Sequence, residues 1–528
     1  MVADRIAAPG VQLLKSTSGL DVVETVGKGA EALRDALVDA AALVVRSETQ
    51  VTPELMAGAP KLRIVARAGI GVDNIHLEEA TRRGIAVLTA PGANSTSAAE
   101  HTFALMLALA RKIPAATASV AEGKWERKAY EGTELRGKTL AILGLGRIGS
   151  LVAQVGRAFG MTVIALDPYV VAAHATSLGV ELLPLEEVLA RADFITLHIA
   201  LTDDTRQLIN TQRLTLVKKT AMLVNTARGA LIDDAALAAA LAEGRLAGAA
   251  LDVFEPEPLP QDSPLRKAPN VILTPHLGAS TKEAQVRVAI EIAEAVRDAL
   301  LSGDLRSAVN LPGLDASQLS TSRPLMDLGQ RLGRLAFGLG SGGVRSVDVT
   351  SRGTDDRAAD TAGIAALSGV LMGMGMDRVS LVNAAHLARQ RGIRVTRRAE
   401  DPAVFQTSLT VELVADGRTV RVQGALLGEA HARIVRINDY HVDVEPYGTL
   451  LVLANHDVPG VIGKVGTLLG DAGVNISDYH QSRPPRKGDD ALAAIALEVR
   501  APAPVLEDLR RMAEVTGVWQ VDLGPKPA

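Results

Sequence analysis

The 528-residue chain contains no cysteine, so disulfides, thiolate metal sites and thiol nucleophiles are excluded from its chemistry. Aromatic residues make up only 2% of it, which leaves few side chains for stacking on bases. Neither sign of charge dominates, with 56 Lys and Arg against 60 Asp and Glu. No apolar run reaches the length of a bilayer span, and the N-terminus lacks a signal-peptide pattern. We therefore predict a cytoplasmic protein that binds neither nucleic acid nor membranes, and we predict no metal site.

The length and the strand pattern indicate several α/β units. At 528 residues the chain is too long for one hydrophobic core. From Leu43 to Pro312 short β-branched runs alternate with helix-period segments, which is typical of parallel sheets with crossover helices. Three strand candidates precede a glycine-rich stretch, so we expect a first doubly wound unit with a second inserted after it. A long helix then starts near Ser280 and Glu283, at capping-box spacing, and we expect it to complete the first unit.

The pattern changes after residue 317. The segment 318–447 combines an apolar helix with strand-like runs, and Asp416-Gly417 marks a hairpin turn. From Gly448 the order strand, helix, strand, strand, helix, strand is typical of a ferredoxin-like sandwich. The predicted fold class is α/β, with two doubly wound parallel-sheet domains followed by an α+β domain and a ferredoxin-like domain.

The stretch AILGLGRIG indicates a dinucleotide site. Its glycines, Gly144, Gly146 and Gly149, have the spacing of a turn that permits a tight bend, a close approach of backbone to pyrophosphate, and close helix packing. Asp167 ends the next strand, where a carboxylate accepts hydrogen bonds from the ribose hydroxyls. An anionic Asp167 would repel a 2′-phosphate, so the sequence favours NAD over NADP.

Three charged residues follow strand candidates on the side of the sheet where ligands bind: Arg228, Glu257 and His276. Oxidation of a secondary alcohol needs a base for the hydroxyl proton, and His has the side-chain pKa nearest neutrality. Glu257 is the candidate carboxylate that stabilises the imidazolium, and Arg228 offers a fork for a substrate carboxylate. Taken singly, a loop His is more often a hydrogen-bonded surface residue, and an Arg-Glu pair is more often a structural salt bridge. Their joint occurrence behind a dinucleotide turn favours a dehydrogenase.

The blocks RAGIGVDNI, GLGRIG, VNTARG, LDVFEPEP and TPHLGAST resemble the D-isomer-specific 2-hydroxyacid dehydrogenase family over residues 40–312. The C-terminal segments resemble the long form of the branch that oxidises D-3-phosphoglycerate to 3-phosphohydroxypyruvate with NAD, the first step of phosphorylated serine synthesis. The resemblance implies a homo-oligomer, expected to be a tetramer. It also implies a substrate domain at 1–97 and 282–315, an NAD-binding Rossmann domain at 98–281, an intervening domain at 316–447 and an ACT regulatory domain at 448–528.

The resemblance also implies roles for individual residues. Arg228, Glu257 and His276 match the family's carboxylate-binding Arg and its Glu-His pair, and Asp252 matches a residue that contacts the nicotinamide amide. Besides the three glycines and Asp167, the other cofactor contacts that it implies are Arg147, Ile148, Thr226 and Gly278. Substrate contacts are implied at Arg46, Ser47, Gly69, Ile70, Gly71 and Asn94. Arg127 and Lys128 match a block that lies near the neighbouring subunit's cleft in related enzymes, where it could meet a phosphate.

The last segment resembles the ACT domain, which binds an amino acid across a paired interface. The implied effector residues are Asn455, Asp457, Pro459, Gly460 and Asn475, and serine is the expected effector. A ferredoxin-like domain that only holds subunits together is the alternative. The segment before it resembles one with an anion site, matched by Arg433 and His441. Glu445 departs from that pattern, because the site would need a further cation there.

Two other functions and one structural question stay open. A glyoxylate or hydroxypyruvate reductase of the same family would not need an ACT module. A nucleotide-sensing corepressor built on this fold could keep the three charged residues, but it would carry no ACT region. The N-terminal residues leave almost no room for an opening strand, so either that strand is very short or the start is truncated.

Overall fold

A computed structural model describes residues 1–311, 316–428, 431–484 and 490–526. Their strands form four sheets, of three, seven, six and four strands. The first two sheets are parallel and the last is antiparallel, so the predicted fold class is confirmed.

The strands are β1 (Ala42–Val45), β2 (Ile64–Arg67), β3 (Ala86–Leu88), β4 (Thr139–Leu143), β5 (Thr162–Leu166), β6 (Glu181–Leu182), β7 (Phe194–Leu197), β8 (Met222–Asn225), β9 (Gly248–Leu251), β10 (Val271–Leu273), β11 (Val344–Arg352), β12 (Arg394–Glu400), β13 (Thr407–Ala415), β14 (Arg418–Leu427), β15 (His431–Ile437), β16 (Tyr440–Val444), β17 (Thr449–His456), β18 (Ile476–Ser482), β19 (Asp490–Leu497) and β20 (Val515–Asp522). The helices are α1 (Ala8–Ser16), α2 (Gly29–Leu37), α3 (Pro53–Ala57), α4 (Leu77–Arg82), α5 (Ser95–Ala110), α6 (Ile113–Ala121), α7 (Arg147–Ala158), α8 (Ala172–Leu178), α9 (Leu185–Arg191), α10 (Thr211–Leu214), α11 (Asp234–Ala242), α12 (Lys282–Ser302), α13 (Ala316–Gly340), α14 (Asp356–Gly373), α15 (Ala384–Gln390), α16 (Val461–Asp471) and α17 (Ala503–Arg511).

The first sheet has the strand order β1-β2-β3 and helices on both faces. Helices α1 and α12 pack on one face, and α2, α3 and α4 supply buried side chains to the other. The long helix α12 therefore completes the first unit, as predicted. The opening strand is reduced to Val2, which forms single parallel bridges with Val44 and Glu24.

The second sheet has the order β10-β9-β8-β7-β4-β5-β6, with every strand parallel. The order reverses between β4 and β7, and ligands bind in the crevice at such a switch point. The chain crosses between the first two sheets at α5 and again just before α12. The hydroxyls of Ser97 and Thr281 lie 2.8 Å apart at these crossings.

The predicted capping box at Ser280 and Glu283 is wrong by one residue. Thr281 is the N-cap of α12, and its hydroxyl accepts a hydrogen bond from the Ala284 N–H. Ser280 still belongs to the preceding turn, because its N–H donates to the carbonyl of Leu277. The β-extended residue that starts a helix therefore comes one position later than the spacing suggests.

The third and fourth sheets share a core. The third sheet has the order β12-β11-β13-β14-β15-β16, and the predicted hairpin turn lies between β13 and β14, with Asp416 and Gly417 both left-handed. The fourth has the order β18-β19-β17-β20, which is the ferredoxin-like arrangement. Side chains of β17 and β20, including Val452 and Val521, lie in the same apolar cluster as α13 and α14. Buried Arg331 of α13 donates to the carbonyl of Leu523 at 2.7 Å.

Among the described residues, no single helix is long and apolar enough to cross a membrane, although α5 and α6 meet the length and composition test together across a bend of 61°. Across the same four ranges, no three His, Asp or Glu side chains are grouped so that they could hold a metal ion.

Candidate active site

The glycine-rich turn lies at the switch point of the second sheet. Gly144 has φ of +98°, and a Cβ there would lie 2.6 Å from the carbonyl oxygen of His198. A Cβ on Gly149 would lie 2.0 Å from the Gly144 oxygen, so only glycine lets α7 pack this close to β4. Gly146 is exposed, with open space where a side chain would be, and Arg147 and Ile148 begin α7. The turn therefore offers free backbone at a helix N-terminus, which fits a pyrophosphate.

The carboxylate of Asp167 holds this turn through backbone hydrogen bonds. Its Oδ2 accepts the Leu145 N–H at 2.8 Å, and its Oδ1 accepts the N–H groups of Tyr169 and Val170 at 2.9 and 3.2 Å. A carboxylate has about four acceptor positions, so Oδ2 keeps one of its two for a ribose hydroxyl. The donor set and the open turn fit an NAD molecule.

Arg228 is carried by a turn that the motif VNTARG builds. Buried Asn225 accepts the Ala227 N–H at 3.0 Å and donates to the Arg228 carbonyl at 2.8 Å, which fixes the chain between them. A Cβ on Gly229 would lie 2.1 Å from the backbone of Phe254, so this position admits only glycine. The turn directs Arg228 into the cleft between the first two sheets, where it meets Gly71 and Asp73 of the first unit.

His276 and Glu257 form a hydrogen-bonded pair, with Nδ1 of His276 2.8 Å from Oε2 of Glu257. Burial raises the pKa of Glu257, but hydrogen bonds from His276 and the Phe254 N–H, with the charge of Arg228, bring it below its ordinary value. An ionised carboxylate only accepts, so Nδ1 of His276 donates and Nε2 is left as the basic nitrogen. His276 lies on a loop with φ of +55°, a conformation in which His is enriched.

Asp252 anchors the loop that carries His276. Its carboxylate accepts the Thr274 hydroxyl at 2.6 Å and the N–H groups of Leu277 and Gly278, both at 2.8 Å. His101 of α5 adds a fourth partner, with Nε2 3.1 Å from Oδ1. Burial raises the pKa of Asp252, but these hydrogen bonds bring it below its ordinary value. Three of the four bonds fall on Oδ1, and Oδ2 accepts the Gly278 N–H.

Sequence reasoning missed Arg67, which lies beside Arg228 and Arg46. Burial lowers the pKa of Arg67, and the charges of Arg228 and Arg46 lower it further. A Cβ on Gly69 would lie 2.7 Å from Nη1 of Arg67, and a Cβ on Gly71 would lie 1.9 Å from Nη2 of Arg228. The glycine turn therefore makes room for two guanidinium groups. A signal for Arg67 was present in the sequence: it lies at the end of β2, as Arg46 lies just after the neighbouring strand β1.

Among the described residues, the side chains of the other predicted site residues form no hydrogen bond with this cluster. Ser47 is exposed after β1, and Ile70 is partly buried between the two turn glycines. Asn94 is the N-cap of α5, and its Oδ1 is buried without a hydrogen-bond partner among the described residues. The hydroxyl of Thr226 contacts that of Thr102 at 2.8 Å. Arg127 and Lys128 lie in an exposed 3-10 helix, Arg127–Tyr130.

The predicted effector residues are divided between the two ends of the fourth sheet. Asp457 follows the end of β17 and forms an ion pair with Arg483. Pro459 is exposed, and Gly460 has φ of +94° at the N-cap of α16. Asn475 is exposed just before β18, beside the start of β17. Asn455 is buried and donates to the His456 carbonyl at 2.7 Å, so its side chain faces the interior of the sheet.

Arg433 of the third sheet forms an ion pair, and so does Glu445, which follows the last strand of that sheet. Arg433 contacts Asp443 at 2.5 Å, and Lys526 from the C-terminal segment contacts Glu445 at 3.0 Å. His441 is exposed on β16, opposite Arg436 in register. The negative charge of Glu445, where the resemblance would require a cation, is therefore paired with the positive charge of Lys526.

This cleft can hold an anionic alcohol, take up its hydroxyl proton and place it against a dinucleotide, which is the arrangement of a hydroxy-acid dehydrogenase. Residues 103–278 match the model of the D-isomer specific 2-hydroxyacid dehydrogenase NAD binding domain. Residues 321–438 match the D-3-phosphoglycerate dehydrogenase intervening domain, and residues 448–514 match the ACT domain.

Similar proteins agree with these matches over the whole chain. A D-3-phosphoglycerate dehydrogenase of Synechocystis is 41% identical, covering 99% of this chain and 94% of its own, and one of Bacillus subtilis is 40% identical, covering 99% of both. The solved D-lactate dehydrogenase of Aquifex aeolicus, complexed with NAD and lactic acid, is 31% identical over 58% of this chain and 96% of its own, with a TM-score of 0.51. The chain belongs to the D-3-phosphoglycerate dehydrogenases, within the D-isomer specific 2-hydroxyacid dehydrogenase family. The roles of its individual site residues stay predictions.

Proposed function

We propose that this chain oxidises D-3-phosphoglycerate to 3-phosphohydroxypyruvate with NAD, as the first step of phosphorylated serine synthesis. The observation that carries the proposal is the cluster of Arg46, Arg67 and Arg228, in which the charge of Arg228 also acts on Glu257 of the His276–Glu257 pair. The substrate bears a carboxylate at one end and a phosphate at the other. Arg228 suits the carboxylate, and Arg46 and Arg67 suit the phosphate. Glyoxylate or lactate would leave two of the three guanidinium groups without an anion.

The mechanism follows from the residues around this cluster. Arg228 binds the carboxylate and fixes the hydroxyl-bearing carbon in the cleft. His276 takes the hydroxyl proton on Nε2, and Glu257 stabilises the imidazolium that forms. The turn at 144–149, Asp167 and Asp252 would hold NAD, which accepts the hydride when it is bound.

A substrate panel tests this function. With NAD, kcat/KM for D-3-phosphoglycerate should exceed that for D-glycerate and D-lactate by about a hundredfold, since each lost charge-assisted contact costs about 1.5–3 kcal/mol. Arg46→Ala should lower kcat/KM for D-3-phosphoglycerate and leave the weak activity on D-glycerate unchanged, because D-glycerate has no phosphate. Equal activity on glycerate and phosphoglycerate would refute the phosphate assignment.

We further propose that serine inhibits the enzyme through the fourth sheet of two paired copies. Asp457 and Asn475 lie at opposite ends of β17, which at eight residues is about 25 Å long, so a single chain cannot bring both to one ligand. Strand β18 is an edge strand, and its antiparallel pairing with a second copy would bring Asp457 of one chain towards Asn475 of the other. The expected assembly is a tetramer in the cytoplasm.

Serine titration of the wild type and of Asn475→Ala tests this regulation. Inhibition of the wild type that is weakened in the variant supports an effector site at the paired interface. If both enzymes are equally insensitive, the domain serves only to join subunits.

A further inference from the structure

We propose that Asp73 is a positioning residue that aims the Arg228 fork at the substrate carboxylate. The inference rests on the proposed role of Arg228. Asp73 lies on the loop after β2 of the first sheet, and Arg228 lies on the turn after β8 of the second. Their ion pair, with Nε of Arg228 3.2 Å from Oδ2 of Asp73, therefore crosses the cleft between the two sheets.

The hydrogen-bond inventory of Arg228 shows what this contact leaves available. A guanidinium has five N–H donors. Nε–H faces Asp73, at 3.2 and 3.4 Å from its two oxygens, and Nη1 donates to the carbonyl of Ala227 at 2.6 Å. Nη2 has no hydrogen-bond partner among the described residues. The two side edges of the group are thus held, and the outer edge formed by Nη1 and Nη2 is the part free to bind a carboxylate bidentately.

Gly71 leaves space for the Arg228 guanidinium, and Asp73 forms an ion pair with it. A Cβ at Gly71 would lie 1.9 Å from Nη2 of Arg228 and 2.7 Å from Oδ2 of Asp73, so the missing side chain makes room for both groups. The Arg228 side chain is 29% exposed and that of Asp73 is 58% exposed. Water screens the pair at this exposure, so its contribution to folding is small and its main effect is on direction.

Asp73 also offsets the repulsion within the arginine cluster. Arg67 experiences the positive charges of Arg228 and Arg46 and the opposing charge of Asp73. The next residue, buried Asn74, accepts from Nε of Arg67 at 3.0 Å and donates to the carbonyls of Arg46 and Thr49 at 2.8 and 2.7 Å. The loop is therefore fixed to the first unit through Asn74, while Asp73 reaches across to the second. The fixed loop therefore sets the position from which Asp73 orients the Arg228 fork.

Substitution of Asp73 tests this inference. Asp73→Ala should raise KM for D-3-phosphoglycerate about tenfold, the scale of one charge-assisted hydrogen bond, and lower kcat less than threefold. NADH affinity and the melting temperature should stay at the wild-type values. Asp73→Asn keeps an oxygen that can accept from Nε of Arg228, so KM should return to within about threefold of the wild type, since orientation rather than charge is at stake. Asp39→Ala is the matched control, because it removes another ion pair of the same unit, with Lys61 at 2.6 Å.

The inference is overturned if Asp73→Ala leaves KM within twofold of the wild type, or if the melting temperature and NADH affinity fall together with activity. Arg228→Ala, measured in parallel, separates this result from the proposed function. Wild-type KM in Arg228→Ala would overturn the role of Arg228 itself. A large effect of Arg228→Ala with none of Asp73→Ala would overturn only the positioning role. In the Arg228→Ala background, Asp73→Ala should cause no further change in KM.

Discussion

A single methyl group at Gly71 provides a sharp test of the cleft geometry. In Gly71→Ala the new Cβ would lie 1.9 Å from Nη2 and 3.0 Å from Cζ of Arg228. Non-bonded carbon and nitrogen atoms normally stay about 3.5 Å apart, so the guanidinium must move by about 1.5 Å. The backbone does not resist the change, because Gly71 is not among the positive-φ glycines.

The displacement of Arg228 in Gly71→Ala should lower catalytic activity and leave folding stability unchanged. Arg228 is a flexible side chain at the rim of the cleft and can swing away from the methyl group. A misplacement of about 1 Å in a substrate-positioning group can cost about a hundredfold in rate. We therefore expect kcat/KM for D-3-phosphoglycerate to fall about a hundredfold in Gly71→Ala, with NADH affinity and melting temperature unchanged.

Initial-rate kinetics with NAD, beside fluorescence titration of NADH, measure both quantities. Gly58→Ala is the control, because a Cβ there meets only ordinary contacts, at 3.7 Å from the Leu55 oxygen and 3.9 Å from the Glu54 oxygen. It should keep wild-type kinetics. Wild-type kcat/KM in Gly71→Ala would refute the contact between the two units and the placement of the fork.

Two further predictions concern pH and the dinucleotide turn. Burial, with the charges of Asp233 and Glu255, raises the pKa of Asp234 from 3.8 to about 6. Between about pH 4 and pH 6 the folded state therefore binds one more proton than the unfolded state, and the unfolding free energy falls as the pH rises through this range. Asp234→Asn should raise the unfolding free energy by about 1–2 kcal/mol at pH 7.5 and by almost nothing at pH 4. Urea titrations at the two pH values measure this difference. Asp167→Ala leaves the buried Leu145 N–H without its acceptor, so the unfolding free energy should fall by about 1–3 kcal/mol. The same substitution removes the proposed ribose contact, so KM for NAD should rise. An unchanged KM for NAD would contradict that contact.

Periodicity and turn chemistry predicted most of the fold. The predicted alternation of strands and helices from Leu43 to Pro312 is observed, because β-branched runs bounded by turns have few other solutions. The sequence did not indicate β6, since the two residues Glu181–Leu182 are too few to show a period. The sequence also could not distinguish Thr281 from Ser280 as the N-cap of α12, because both residue types can cap a helix and the preceding turn decides between them.

Contacts between units were beyond sequence reasoning. Val382, from the segment before α15, is buried in the core of the first unit, which no local pattern indicates. Arg67 and Asp73 lie in the block RAGIGVDNI, but their roles depend on Arg228, which is more than 150 residues away in the chain. The buried orientation of Asn455 likewise depends on the sheet around it. The motifs predicted which residues carry chemistry, and the packing of the first two units determines how they face one another.

The most direct test of the central claim is the turnover rate of His276→Ala with saturating NAD and D-3-phosphoglycerate, followed as NADH formation. If His276 takes the hydroxyl proton, kcat should fall by at least about a hundredfold, the usual scale for losing a general base, while NADH still binds with wild-type affinity. A kcat within a few fold of the wild type would contradict the claim that the His276–Glu257 pair and the Arg228 fork act on one substrate in this cleft.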